Sequence, residues 1–548
     1  MPVYDFVMCG FSVIYSYAPD APIVDSGEVR RMNERMRARG PDGDGEWFSP
    51  DGRVGFGHRR LAIIDPSDTG AQPMQLVGCD GNMLLVITYN GEIYNYKALR
   101  AELISQGVSF SSNSDTEVLL NLYNRDGPGM VDKLRGMFAL AIWDVAKRGI
   151  FLARDPFGIK PLYYAADGKT FRAASQVKAL LAGGQIDTSP DPAGHVGFFT
   201  FGYVPEPHTL YKGVKALPSG SSLWIDHEGT PEVTKYFDIS SHLAGRNNGV
   251  NKAEVLEKLH AALSDSVAHH LVSDVPVGVF LSAGLDSATV TGLAFEHTSA
   301  ALQSMTLQFD ELEGSTMDEA PLAEEIAMFY QTRHQTRKVK GAEFKHDMAH
   351  LFDSMDQPSI DGSNTYFVSK EAAAMGLKVA LSGLGGDELF GGYPSFRQIP
   401  QLTGSLGWLP GLSRVGRAIR YVSAPFLKRM TSPKYASLFE YGGSYSGAYL
   451  LRRGLYLPWE LPDLMDADMA SAGWRELQPI VRLDRSMEGI ADEKARVTAL
   501  ELIWYMRNQL LRDADWAGMA HSLEIRTPLV DATLFSKIAG LDASKQDM

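Results

Sequence analysis

Along the first part of the chain, short β-prone runs alternate with turn chemistry, and long helical faces are rare. Segments 83–89, 137–143 and 149–153 are apolar runs bounded by Asn-Gly, Asp-Gly and other glycine-containing turns. Two segments with helical periodicity interrupt them, 96–106 and 116–125, the second following Ser114-Asp115 as a cap. Strands with few helices between them predict an α+β layered domain. Pro205, Pro207, Pro218 and the Gly-Ser cluster at 219–222 then punctuate the chain, and the polar stretch 240–251 predicts a linker. From Lys252 the pattern changes. A helical face over 253–270 leads into the apolar run 275–281, a Ser/Gly turn and a second helical face from Ser287. Segments 302–309 and 378–382 read as further buried strands. This alternation predicts a parallel α/β sheet whose ligands bind at the carboxyl ends of its strands. Beyond Pro400 the chain reads as mostly helical, and no internal repeat is visible. The predicted division is a domain over 9–215, a connecting segment over 216–251 and a second domain over 252–548.

Composition narrows what such a chain can do. Its 548 residues exceed one ordinary core, which makes two domains the expectation. Net charge is −14, from 52 basic and 66 acidic side chains, which argues against general binding to nucleic acid or anionic membranes. Cys9 and Cys79 are the only cysteines, too few for a disulfide framework or a cysteine-rich zinc site, and the expected compartment is the reducing cytoplasm. No apolar run reaches the roughly 18 residues of a membrane span. The stretch 6–18 lacks the positive flank of a signal sequence, having Asp5 there.

The candidate chemistry is concentrated in two places. Cys9-Gly10 opens an apolar strand-like segment. A cysteine that becomes the first residue can use its own α-amine as general base and cleave a side-chain amide without a histidine partner. Alone, Cys9 also suits a buried small hydrophobe, Asn90-Gly91 a hairpin turn and Asp115 an N-cap. However, the chain also carries, in order, Arg39-Gly40-Pro41-Asp42, Gly57-His58-Arg59-Arg60-Leu61-Ala62-Ile63-Ile64-Asp65, Tyr89-Asn90-Gly91-Glu92-Ile93-Tyr94-Asn95, Ser114-Asp115-Thr116-Glu117 and Arg154-Asp155-Pro156-Phe157-Gly158. From Met8 to about Leu180 this resembles the class II glutaminase domain of the asparagine synthetase family, which implies an Ntn-hydrolase-like αββα sandwich. The resemblance implies that Cys9 is the nucleophile, that Asn90 and Gly91 form the oxyanion hole, that Arg60 pairs with the α-carboxylate of glutamine, and that Glu92 and Asp115 pair with its α-ammonium.

The second place is Phe280-Leu281-Ser282-Ala283-Gly284-Leu285-Asp286-Ser287, a strand, a small-residue turn and a helix start suited to phosphate. It lacks the lysine of a Walker A loop and resembles the pyrophosphate loop of the N-type ATP pyrophosphatases, with Ala283 where that family usually has glycine. The glycine-rich run Ser382-Gly383-Leu384-Gly385-Gly386-Asp387 follows another apolar run. The resemblance implies that Ser282, Gly284 and Ser287 hold ATP phosphate, that Leu281, Leu307, Ser382 and Gly383 contact adenosine, and that Asp286 and Asp387 hold Mg²⁺. A late motif spanning 519–529 carries Glu524 and Arg526, for which structural and functional readings are equally open. The implied function is a ligase with ATP and Mg²⁺ as cofactors. Ammonia from glutamine would attack a carboxylate, by family aspartate, activated as an acyl-adenylate, after travelling an internal tunnel. A homodimer is compatible with the sequence.

Three departures keep alternatives open. Seven residues precede Met8, and while they remain Cys9 has no free amine. A start at Met8, cleavage of a propeptide and a silent glutaminase would each account for them, the first being favoured. Leu384 stands where asparagine synthetases generally carry glutamate, which points to a different acceptor or to a compensating carboxylate such as Asp361 in Asp356-Gln357-Pro358-Ser359-Ile360-Asp361-Gly362. The tail after Asp531 is expected to be short of the family's lysine-bearing region, with Lys545 solvated. A related amidotransferase on another carboxylate and a catalytically impaired binding protein are the competing readings.

Overall fold

The apolar run at 137–143 is continuous because its strand is buried on both faces. In β6 (Gly136–Asp144), Phe138, Leu140 and Ile142 enter one hydrophobic cluster while Ala139, Ala141 and Trp143 enter another. The computed structural model describes residues 9–40, 42–245, 252–298, 301–409, 411–430 and 432–539. The extension before Cys9, Pro41, residues 246–251 of the predicted linker and the tail with Lys545 lie outside the described residues.

Two six-stranded antiparallel sheets make the N-terminal layers. The first contains β1 (Gly10–Ser16), β2 (Gly43–Phe48), β3 (Val54–Arg60), β8 (Tyr163–Ala166), β9 (Thr170–Ala174) and β10 (Lys215–Ala216). The second contains β4 (Met74–Val77), β5 (Met83–Ile93), β6, β7 (Gly149–Arg154), β11 (Ser221–Ile225) and β12 (Glu232–Lys235). Period-two alternation sends Phe11, Val13, Ile150 and Leu152 between the sheets. The outer face of the second sheet is covered by helices Tyr96–Ser105 and Asp115–Asp126, and that of the first by Ser26–Arg35 and Val177–Gly183. The order of layers is therefore αββα. The strands β11 and β12, in the stretch expected as a connector, pair with β7 and with each other at the sheet edge, since the alternating side chains Leu223 and Ile225 are buried between the sheets.

The C-terminal sheet is parallel throughout, in the order β15 (Arg333–Val339), β14 (Gln303–Phe309), β13 (Val277–Phe280), β16 (Val379–Leu381), β17 (Glu524–Arg526). Helices Lys252–His270 and Leu285–His297 cover the face that presents Val279 and Leu381, while Ser363–Ala374 and Leu511–Met519 cover the face of Met305, Ala380 and Ile525. A further helical layer packs Val196 and Phe201 of helix Pro192–Phe201 against Tyr449, Leu477, Val497 and Trp504.

The two halves are tied by buried ion pairs. The Arg39 guanidinium grips Asp515 through two hydrogen bonds of 2.7 and 2.9 Å, and Arg135 grips Asp531 at 2.9 and 3.1 Å. Removing one partner of such a pair leaves a buried charge uncompensated, at a cost of about 3–5 kcal/mol.

Candidate active sites

Cys9 stands immediately before β1, the strand held between β3 and β9. Its Sγ accepts the Leu61 N–H at 3.2 Å and lies 3.6 Å from the Leu61 carbonyl. Burial pushes the thiol up to about 12. The Leu61 N–H partly offsets this, and the nearby Glu92 and Glu524 add to the rise. A thiol held there needs a base beside it to react at neutral pH, a role suited to the α-amine of an N-terminal cysteine.

Asn90 and Gly91 do not form a hairpin turn; they lie inside β5, opposite Ala139 and Phe138. Gly91 makes this possible. Its φ is +148°, and a Cβ there would lie 2.1 Å from the Met137 carbonyl oxygen. Asn90 is buried, and its Nδ2 has no hydrogen-bond partner among the described residues. An unused buried donor costs about 1–3 kcal/mol, and such a donor is available to an anionic group of a ligand. Gly91→Ala is expected to destabilise the protein by about 1–3 kcal/mol through strain and overpacking, and to lower glutaminase turnover further by displacing the Gly91 N–H. Thermal unfolding and glutamate release check the two effects, and a wild-type rate in the variant would remove Gly91 from the site.

Ser114, not Asp115, accepts the Thr116 N–H as the N-cap of helix Asp115–Asp126. The Asp115 carboxylate instead accepts from Tyr89 Oη and the Ile93 N–H, both at 3.1 Å, and burial raises it to about 6. Glu92 is driven well above its ordinary range by burial, then by Glu524 and Asp115, with Arg526 opposing. Its Oε2 has no hydrogen-bond partner among the described residues and lies 3.8 Å from Arg526. Two buried carboxylates that repel each other's charge suit a cationic group such as an α-ammonium. Arg60, half-buried at the end of β3, is oriented by the carbonyls of Ser67 (2.8 Å) and Asp65.

Sequence reasoning missed the support for this cluster. Arg39 donates to the Cys9 carbonyl at 3.2 Å while it grips Asp515. Glu524 and Arg526, left open above, form a buried pair at 2.7 Å beneath Glu92, with Lys160 3.5 Å from Glu524. Arg526 also donates to the carbonyls of His270 and Val272. Glu524 and Arg526 are neighbours on one strand, but Arg39, Lys160 and Glu92 are hundreds of residues from Asp515, Glu524 and Arg526, so no local pattern announces the cluster.

The second site follows from strand order. From β13 the chain steps outward to β14 and β15, then returns to β16 on the other side of β13, so the crevice at their carboxyl ends is the switch point of the sheet. Both glycine-rich loops leave from there. Ser282 N–H donates to Ser287 Oγ at 3.0 Å, and Gly284 N–H to Ser282 Oγ at 3.2 Å. The helix Leu285–His297 begins without a side-chain cap, which leaves N–H groups for an anion. A Cβ at Gly383 would lie 2.6 Å from the Ser287 nitrogen, and one at Gly386 within 2.4 Å of the Asp286 carboxylate oxygens. Only glycine lets the loops meet this closely.

Burial and the Asp387 charge raise Asp286 to about 6, with the Asp387 N–H opposing. Two facing carboxylates of this kind fit a divalent cation. Ser382 N–H donates to the Arg526 carbonyl at 2.8 Å, which links this loop to the cluster beneath Glu92. Leu307 is half-buried. Leu281 is more deeply enclosed than the resemblance suggests, packed on Ala323 and Ala327 with its carbonyl accepting from Thr306.

The Asp356 carboxylate accepts the N–H groups of Val177 and Lys178, and Gln357 accepts that of Leu210, so these two side chains serve the contact between halves. Asp361 is exposed. It contributes to raising the buried Asp513 to about 7, a shift caused first by burial.

Residues 8–237 match the family model of a glutamine amidotransferase domain, and residues 258–546, more than half of the chain, match that of asparagine synthase. The chain belongs to the asparagine synthase family. Within that family, a putative glutamine-hydrolyzing asparagine synthetase of Mycobacterium tuberculosis (strain ATCC 25618 / H37Rv) is 35% identical over 540 residues, covering 94% of this chain and 78% of the relative. The glutamine-hydrolyzing asparagine synthetase 1 of Bacillus subtilis (strain 168) is 33% identical over 533 residues, covering 96% and 80%. A relative named amidase chry2, from Gibberella zeae, is 30% identical over 419 residues and covers 71% and 60%.

Proposed function

We propose that this asparagine synthase family member is a glutamine-dependent asparagine synthetase, a ligase built from a glutaminase unit up to about residue 237 and an ATP-dependent unit from 252 onward. The observation that carries the reading is physical continuity. Arg39 holds both Cys9 and Asp515, and Arg526 joins the floor beneath Glu92 to the Ser382 loop. In this reading Cys9 Sγ attacks the side-chain amide of glutamine, and Asn90 Nδ2 and the Gly91 N–H stabilise the tetrahedral oxyanion. Arg60 would take the α-carboxylate, and Asp115 and Glu92 the α-ammonium. A cavity of about 10 Å³, lined by Ile159, Lys160, Asp515, Ile525 and Thr527, lies between the halves and suits passage of ammonia. ATP would lie over the loops at 281–287 and 382–387, with Leu307 beside the adenosine. Asp286 and Asp387 would hold Mg²⁺, which when bound neutralises phosphate charge. Adenylation gives the acceptor carboxylate a leaving group, and attack by ammonia forms the amide and releases AMP. A cytoplasmic, reducing setting suits the free thiol.

The deciding experiment offers ATP, Mg²⁺ and glutamine with aspartate or a panel of other carboxylates, and measures AMP, pyrophosphate and amide. Release of glutamate without AMP for any acceptor would defeat the reading. A second acceptor is favoured by one observation, the packing of Leu384 on the apolar cluster of Met305, Ala380, Ala514 and Ile525 where the family's glutamate would stand. If Asp361 supplies the missing carboxylate, Asp361→Ala should lower synthetase turnover on the order of 10²-fold; unchanged turnover would dispose of that role.

Glutamine affinity should depend on pH with a definite sign. Free Asp115 is protonated below about 6, and pairing with an ammonium requires the carboxylate, so affinity is lost as pH falls through that value. Calorimetry on a Cys9→Ala variant should show the dissociation constant rising about tenfold per pH unit below 6. A flat profile would exclude Asp115 as the partner.

A further inference from the structure

A cavity that belongs to neither candidate site encloses about 310 Å³ where the segment around Glu206 meets helix Pro479–Arg485 and helix Glu501–Leu510. The second helix is π-helical, a rare winding that recurs at functional sites. Three guanidinium groups line the cavity, Arg482, Arg485 and Arg507, against one carboxylate, Glu206. That carboxylate is already engaged. It accepts from Arg154 at 2.9 Å and from Ser219 Oγ at 2.9 Å, with Arg507 farther off at 3.5 Å. The acids behind it are also occupied. Asp155 accepts the N–H groups of Phe157, Ile159 and Lys160, and Asp238 accepts from Lys235 and Ser241.

The cavity is therefore lined by an excess of positive charge, and two of its donors are unused. Arg482 Nη1 and Arg507 Nε are buried and have no hydrogen-bond partner among the described residues. The Arg507 side chain is only 10% exposed. A buried guanidinium N–H without a partner is costly unless a ligand supplies one. The walls are also fixed in advance. Arg482 lies 5.3 Å over the Trp504 ring, whose Nε1 donates to Ser486, and Asn508 Oδ1 accepts the Glu206 N–H at 2.9 Å. Planar guanidinium forks of this kind recognise carboxylate and phosphate oxygens, and the volume is at the small end of ligand pockets.

We infer that this cavity binds a small molecule bearing an oxyanion group, phosphate or carboxylate, at a site separate from glutamine and ATP. Arg482 and Arg507 meet the anion inside, and Arg485 meets it at the rim. Because the cavity is walled by both halves of the chain, the ligand would also brace their contact.

Calorimetric titration of the full chain at constant ionic strength tests this, with inorganic phosphate in one arm and glutarate in the other. Saturable binding in either arm is expected, and the arm that binds identifies the oxyanion. Arg482→Gln should weaken that binding about tenfold or more, the loss of one charge-assisted hydrogen bond. Arg485→Gln, on the exposed rim, perturbs folding least and should weaken it in the same direction. No binding in either arm, or binding that both variants leave unchanged, would overturn the inference.

Discussion

A chain that begins at Cys9 is expected to hydrolyse glutamine on the order of 10²–10⁴ times faster than one that retains residues 1–8, the usual contribution of a positioned general base. The reason lies in the thiol's surroundings. With its pKa pushed up to about 12 by burial, only about one thiol in 10⁵ is ionised at pH 7. The Leu61 N–H at 3.2 Å helps but does not reverse this, and the nearest acids oppose ionisation. His58, the one histidine close in sequence, is buried against Thr88 and is itself pushed down to about 3. A free α-amine on Cys9 would be the base nearest to the sulfur, and a peptide nitrogen cannot replace it. Comparing glutamate release by the two chains, with mass spectrometry of each N-terminus, checks this. Equal rates would show that the base comes from elsewhere. In the shorter chain Cys9→Ala should abolish glutamate release, while amide synthesis from added ammonia persists.

Much of the scaffold around that sulfur was legible because burial leaves a period. The strands at 83–89, 137–143 and 149–153 stand out as apolar runs, and the helices at 96–106 and 116–125 by their periodic faces, the second also by the cap at Ser114. What was not legible was mostly polar or distant. β15 (Arg333–Val339) is a sheet edge whose side chains are largely in contact with solvent, so its pattern is that of a loop. β17 is three residues long and is defined by its partner β16, not by its own composition. Asn90-Gly91 has the local chemistry of a turn, and only the ladder to β6 reveals that the strand runs through it. The first phosphate-type loop was visible as a strand–turn–helix junction and the second as a glycine-rich run after an apolar one. Their meeting at one crevice depends on the strand order, which places β16 beside β13 across about a hundred residues of intervening chain. The buried charges beneath Glu92 were only partly legible, because Glu524 and Arg526 are neighbours on one strand while Lys160 and Glu92 reach them only by the packing of two halves.

That crevice carries the other large expected effect. Asp387→Asn should lower AMP and pyrophosphate formation on the order of 10³-fold, equivalent to about 4 kcal/mol of transition-state stabilisation, while glutamate release stays within a few-fold of the parent. Asparagine has the shape of the aspartate it replaces, and this matters because the carboxylate is pressed against Gly392, where a Cβ would lie 1.8 Å from its Oδ1. The fold should therefore be kept. The side chain is exposed, so no buried partner is stranded by losing the charge. What changes is the field at Asp286. Burial is the larger cause of its rise to about 6 and Asp387 the second, so the variant should bring Asp286 down towards the ordinary carboxylate range without restoring it fully. The pH dependence of AMP formation and binding of Mg²⁺-ATP would then separate two roles. If Asp387 acts only by raising Asp286, the variant shifts the pH profile and keeps its height. If Asp387 shares the cation, the profile falls at every pH and rising Mg²⁺ recovers part of it. AMP formation near the parental rate at saturating Mg²⁺ and all pH values would mean that the glycine-rich loop positions ATP by its backbone alone.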